Sequence, residues 1–307
     1  MPDLLAMIQL NSVGKTFRIA PGPRRKAGLV TAVRDITLSL DAGLVVGIAG
    51  PNGAGKTTLL GLLLGFLEAT SGSLTVYGSE PRAYVRQHGA SYLPERFQLR
   101  REWPVRAALR ALLSLDGSAH LLDDLMEQFE LTALAGAAVN TLSRGTLQRV
   151  GIAQAVAVPR RLMVLDEPTD GLDPFWRVRF RELVRGLRSA ERTILIASHD
   201  LAELERLADR VLILSNGTVT ETVELRPHEG RPSNYTIVLK TPHAAMSTLF
   251  ADARVLDDAT YVVTVANAED LSARLAALLE SGATIVSVNP TATLEERVTQ
   301  AAQPERS

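Results

Sequence analysis

The residues Gly50-Pro51-Asn52-Gly53-Ala54-Gly55-Lys56-Thr57 fit the pattern Gly-x-x-x-x-Gly-Lys-[Ser/Thr] without a gap. Glycines at this spacing let backbone N–H groups curl around a phosphate oxygen, and a helix opening at Lys56 turns the partial positive charge of its N-terminus toward it. Lys56 is placed to neutralise outer phosphates, Thr57 offers a hydroxyl to Mg²⁺, and Thr58 follows in the same turn. Of the 33 basic residues only Lys15, Lys26, Lys56 and Lys240 are lysine. A lysine here, in an arginine-rich chain, suits a site that wants a compact ammonium.

The second candidate group is Leu162-Met163-Val164-Leu165-Asp166-Glu167, an apolar run that ends on two carboxylates. Like charges at the end of a buried strand are expensive unless a cation relieves them. Asp166 is predicted to hold Mg²⁺ through water, and Glu167 to polarise a water that attacks a γ-phosphate. Taken alone, such a pair also caps ordinary turns.

With further motifs in the same order, the sequence resembles the nucleotide-binding subunits of ABC transporters. Leu142-Ser143-Arg144-Gly145-Thr146, followed by Gln148-Arg149, stands where that family has its Leu-Ser-Gly-Gly-Gln signature and departs from it at Arg144 and Thr146. The resemblance implies that Ser143 and Gly145 face the γ-phosphate of ATP held by a second subunit. As local structure, Ser143 is also a helix N-cap. Gly171-Leu172-Asp173-Pro174 resembles the family's D-loop, which makes Asp173 a dimer-loop residue. Ser198-His199-Asp200 matches its switch histidine, so His199 joins Glu167 as a catalytic candidate. Phe17 lies where the family stacks a ring on adenine, with a core phenylalanine as the other reading. Glu95 stands where a glutamine is usual, and its carboxylate can still accept bonds from Mg²⁺-bound water. Trp103 either faces a membrane partner or anchors a loop.

Continuous apolar runs at Leu44–Ala49, Leu162–Leu165 and Thr193–Ala197 have the look of parallel strands buried on both faces, each delivering polar residues at its carboxyl end. Alternation over Ile8–Val13 and Ile36–Leu40 predicts half-buried strands at an antiparallel edge. Helical spacing marks Lys56–Phe66, Val105–Leu113, Leu121–Phe129, Leu147–Ala157 and Phe175–Ser189. The implied fold is α/β: a RecA-like P-loop NTPase core with an antiparallel edge and a helical subdomain at about residues 97–157. An ATPase domain over 1–223 is followed by a polar linker at 224–234. Residues 235–307 then read as a ferredoxin-like βαββαβ unit with a short closing helix at Leu294–Ala301. This tail, with Thr293-Leu294-Glu295-Glu296-Arg297, resembles those of exporter ATPases that pair with separate six-helix permeases.

The chain has 307 residues, 46% hydrophobic and 22% charged, which excludes wholesale disorder. A net charge of -1 gives no general field for nucleic acid or anionic membrane, and no nucleic-acid partner is expected. The loop Pro21-Gly22-Pro23-Arg24-Arg25-Lys26 offers a local basic triplet, for lipid headgroups or phosphate or simply for water. Cysteine is absent and the five histidines lack ligand spacing, so a metal held by protein side chains alone is not expected. No apolar stretch is long enough to cross a bilayer, and Met1–Leu10 lacks the basic start of a signal peptide. The expectation is a cytoplasmic ATPase subunit that uses ATP and Mg²⁺ and is peripheral on the inner membrane face. It would work as a homodimer or heterodimer, powering export through a separately encoded permease. An importer ATPase, a soluble non-transport ABC ATPase and a module that binds ATP without hydrolysing it are the alternatives.

Overall fold

The computed structural model of the chain describes residues 7–19, 28–225, 233–266 and 268–290. It divides into two compact units that part after Val223. The first runs β1 (Ile8–Ile19), β2 (Gly28–Leu40), β3 (Val45–Ala49), α1 (Lys56–Leu63), β4 (Ser71–Val76), α2 (Pro81–His88) and β5 (Ser91–Leu93). It continues through α3 (Val105–Leu115), α4 (Leu122–Gln128), α5 (Arg144–Ala157), β6 (Leu162–Asp166), α6 (Pro174–Leu187), β7 (Thr193–Ala197), α7 (Leu201–Leu207), β8 (Arg210–Ser215) and β9 (Thr218–Glu224).

The central sheet has the order β5-β6-β7-β3-β8-β9, and β5, β6, β7, β3 and β8 pair in parallel. Every residue of β3, β6 and β7 is buried, as the unbroken apolar runs require. Since β6, β7 and β3 are adjacent, their carboxyl ends open into one crevice, the place where open α/β sheets bind ligands. The last pair is a hairpin closed by Asn216 and Gly217, with φ of 50° and 83°, the two-residue turn that matches strand twist.

A separate antiparallel sheet has the order β2-β1-β4. Its first strand extends to Ile19, well past the alternation that ends at Val13, because register shifts between Leu10 and Thr16 break the period of two. One apolar cluster joins this sheet, through Ile8, Leu10 and Ile36, to α1, through Leu59, Leu60 and Leu62, and to Val46, Val164 and Leu212 of the central sheet. Burying each such leucine contributes about 2 kcal/mol. The helical block between β5 and β6 holds α3, α4 and α5.

The second unit contains β10 (Ser233–Leu239), α8 (Ala245–Leu249), β11 (Arg254–Asp257), β12 (Thr260–Val265), α9 (Ala268–Glu280) and β13 (Ile285–Pro290). Its antiparallel sheet has the order β11-β12-β10-β13, the ferredoxin-like arrangement of a βαββαβ chain. Ile237, Val263, Phe250 and Leu278 build its own core. The basic triplet at 24–26, most of the 224–234 stretch and the segment 293–301 lie outside the described residues. Among the described residues no helix is long and apolar enough to cross a membrane.

Candidate active site

The glycine-rich loop links the end of β3 to the start of α1. Gly55 is the N-cap of α1 at φ 104°, and a Cβ there would stand 2.4 Å from the carbonyl oxygen of Ala32. Only glycine lets the loop approach β2 this closely. No side chain caps α1, which leaves its first-turn N–H groups to a ligand. The hairpin turn supports the loop from below: Gly217 N–H donates to the Ala54 carbonyl at 3.0 Å, and Arg34 N–H donates to the Gly217 carbonyl at 2.7 Å. Lys56 is buried, and its Nζ donates to the carbonyls of Gly50 at 2.8 Å and Pro51 at 3.4 Å. These two residues therefore hold the lysine head.

Thr57 donates its hydroxyl to Asp166 Oδ2 at 3.0 Å, joining α1 to the end of β6. Burial pushes the Asp166 carboxyl up to about 6; the Thr57 hydrogen bond opposes that, while Glu167 and Glu95 add to it and Lys56 opposes it. The ionised form is thus poorly compensated, so a cation at this position would be welcome. Glu167 follows with φ 50°, a left-handed conformation that is uncommon for a residue with a side chain. Its N–H donates to the Ala197 carbonyl at 2.8 Å. Its carboxylate accepts from Ser198 Oγ at 3.2 Å and from His199 N–H at 3.1 Å, and His199 Nδ1 lies 2.8 Å from Oε2.

These groups line one cleft of about 740 Å³, whose walls include Asn52 to Thr58, Glu95, Asp166, Glu167 and His199. The structure also brings in three residues that motif reading passes over, Ala32, Arg96 and Asp170. Among the described residues no group of three or more His, Asp or Glu side chains gathers as a metal cage. The oxygen donors nonetheless fit Mg²⁺, which keeps waters and substrate phosphates in its shell: Thr57 hydroxyl, Asp166 and, across the cleft wall, Glu95.

Gly50, Pro51, Phe17, Ser143, Gly145 and Asp173 are not among the walls. Phe17 is half-buried on β1, opposite Val30, and its ring centroid lies 5.3 Å from Lys15 Nζ. Ser143 caps α5, its Oγ accepting from Thr146 N–H at 3.1 Å. Asp173 caps α6, accepting from Trp176 N–H at 2.9 Å ahead of Pro174 at the first helical position. Trp103 is 38% exposed, with the Arg100 guanidinium 5.3 Å from its ring. Gln148, buried on α5, donates to the carbonyls of Glu167 and Pro168 at 3.0 and 2.9 Å. A buried glutamine must find such partners, but its burial arises only when α5 packs and leaves no signal in the sequence.

Residues 33–170 match the family model described as ABC transporter. An uncharacterized ABC transporter ATP-binding protein of Bacillus subtilis, YdbJ, is 32% identical over 289 residues, covering 91% of this chain and 93% of the relative. Nod factor export ATP-binding protein I of Bradyrhizobium diazoefficiens is 35% identical over 204 residues, covering 64% of this chain and 66% of the relative. A solved dimeric ATP-binding cassette in a post-hydrolysis state, bound to ADP and Pi, matches with a TM-score of 0.64 over 72% of this chain and 100% of its own. At 22% identity that likeness speaks to the fold alone.

Proposed function

Because this chain belongs to the ABC transporter ATP-binding proteins and is an ATPase of that family, we propose that it powers export through a separately encoded membrane permease. Residues 1–223 are the ATPase domain in this reading, 224–234 a linker and 235–307 an accessory domain. The one-sided cleft supports nucleotide use shared between two such chains: residues 52–58, Asp166, Glu167 and His199 share it, while Ser143 and Gly145 are not in its walls.

Incoming phosphates replace the carbonyls of Gly50 and Pro51 as partners of Lys56, trading neutral acceptors for anionic ones. The uncapped N–H groups at the start of α1 take the phosphate oxygens between them. Phe17 lends a ring face to the adenine. Glu167 orients the attacking water and accepts its proton, and His199, held against that carboxylate, reaches toward the γ-phosphate. Thr57, Asp166 and Glu95 would hold Mg²⁺, which would supply positive charge to offset that of the phosphates. Ser143 and Gly145, at the start of α5, complete the cleft of a second ATPase chain, so that each nucleotide is sandwiched between two chains linked through the Asp173 loops.

Direction of transport is supported by a relative named for export and by the ferredoxin-like second unit. The test is to recover what the Glu167→Gln chain, loaded with ATP, retains from detergent-extracted membranes. A six-helix permease without a solute-binding protein is the expected catch. Recovery with a periplasmic solute-binding protein would overturn export in favour of import.

A further inference from the structure

Helix α5 is fastened to the loop after Glu167 at three points within its first turn and a half. At its first residue, the Arg144 guanidinium pairs with the carboxylate of Asp170, which is itself a wall of the cleft. At Gly145, the helix passes so near the Gly171 carbonyl oxygen that a Cβ would stand 2.5 Å from it. One turn on, Gln148 donates to the Glu167 and Pro168 carbonyls. The loop closes on itself as well, since Asp170 N–H donates to the Glu167 carbonyl at 3.2 Å.

Glu167 needs such bracing. Its φ of 50° is a conformation that persists only where surrounding contacts over-determine it. Gly145 and Gln148 brace the backbone by close approach and by amide hydrogen bonds. Arg144 acts differently: it adds a charged tie at the position where this chain departs from the glycine of the family signature. On the strength of the ATPase reading, and resting on it, we infer that Arg144 and Asp170 are positioning residues. Their ion pair holds the Glu167–Gly171 turn so that the Glu167 carboxylate stays aimed at its water, and the turn carrying Ser143 moves with it as one body.

The pair is suited to this role and unsuited to a structural one. The Arg144 side chain is 73% exposed and that of Asp170 28%, so solvent screens their attraction and leaves it worth little to folding. Small displacements of a reacting group, by contrast, are felt directly in turnover. Cutting the tie should therefore slow hydrolysis while leaving the fold and nucleotide affinity in place.

The test is steady-state ATP hydrolysis by the full chain and by Arg144→Ala, Asp170→Ala, the double variant and Arg144→Lys, with thermal midpoints measured on each. Each alanine variant should lose about threefold to fivefold in kcat, the most that so exposed a pair can contribute, with KM within about twofold of the parent. The double variant should be no slower than either single one, because the two residues act through one contact. Arg144→Lys should retain most of the turnover, and all midpoints should stay close together. Unchanged kcat in both single variants overturns the proposal, as do multiplied losses in the double variant. It also falls if Arg144→Ala raises KM while Asp170→Ala behaves like the parent, since Arg144 would then be a phosphate ligand. A parent chain no faster than Glu167→Gln overturns the ATPase reading itself, a result distinguishable from any pattern among the four variants.

Discussion

His199 holds the Glu167 carboxylate at both oxygens: its backbone N–H donates to Oε1 at 3.1 Å, and its ring Nδ1 lies 2.8 Å from Oε2. A base held this way has a fixed direction before any water arrives, and the two side chains act as a unit. Glu167→Gln keeps the shape but gives up the proton acceptor, so kcat should fall by about 10² to 10⁴ while ATP still binds. His199→Ala should cost a comparable factor, and the double variant little more than the worse single one. Turnover by Glu167→Gln at the parent rate would remove Glu167 from its role.

Lys56→Ala leaves the phosphate loop without its cation. Losing charge-assisted bonds to the outer phosphates removes about 3 kcal/mol, so ATP affinity should drop about a hundredfold, enough to abolish binding at micromolar nucleotide. The lysine's present partners are two backbone carbonyls, so the variant should remain folded. Calorimetric titration decides it, and an unchanged affinity would refute the site.

Asp166 sets a dependence on pH. Its carboxyl ionises at about 6 in the folded chain, against 3.8 as its ordinary value, so the folded state binds the proton more tightly than the unfolded one. Stability from this group is present at and below about pH 4 and is lost as pH climbs to about 6, a change on the order of 3 kcal/mol. Asp166→Asn removes that loss and can still accept the Thr57 hydrogen bond. In nucleotide-free protein with a chelator, the variant's melting temperature should match the parent's near pH 4 and exceed it by several degrees at pH 7. Parallel curves across that range would show that the burial of Asp166 costs the fold nothing.

Dependence on a second chain is testable by mixing. Specific activity should rise with protein concentration as two chains sandwich the nucleotide. Ser143→Arg should suppress turnover while the monomer still binds ATP; losing the helix cap costs about 1 kcal/mol, which a thermal melt can account for. Combined with Lys56→Ala chains, themselves inactive, it should recover partial activity from the one composite site with both halves intact. If Ser143→Arg weakens ATP binding to the monomer as much as Lys56→Ala does, the signature serves its own chain and the two-chain arrangement is wrong.

The phosphate loop and the buried strands were legible because each is continuous in sequence: the loop is a gapless motif, and β3, β6 and β7 are unbroken apolar runs. The βαββαβ order of the second unit was legible for the same reason, as alternation and helical spacing succeed one another there without insertion. β5 carries no sequence signal because three residues are too few to display a period. α2 buries only Pro81 and Tyr84, so its helical face carries little apolar signal, although Glu80 caps it and Pro81 opens it. Nor could spacing reveal that Arg144 meets Asp170, since that pair exists only once α5 packs on the loop after β6. The same holds for Gln148, whose partners are carbonyls on another element.

Gly217 stands between Ala54 and Arg34, drawing the turn after β8 onto two segments that come long before it in the chain. Contacts of such long range form slowly, because chain entropy must be surrendered before they reward it. The nucleotide cradle is therefore a late product of folding, even though its motif leaves the ribosome well before Gly217 does. A nascent chain that has not yet reached Gly217 carries every letter of the glycine-rich loop but lacks the hairpin that supports it. ATP affinity should appear only after that tip has docked, so nucleotide binding reports that the first unit has been assembled as a whole.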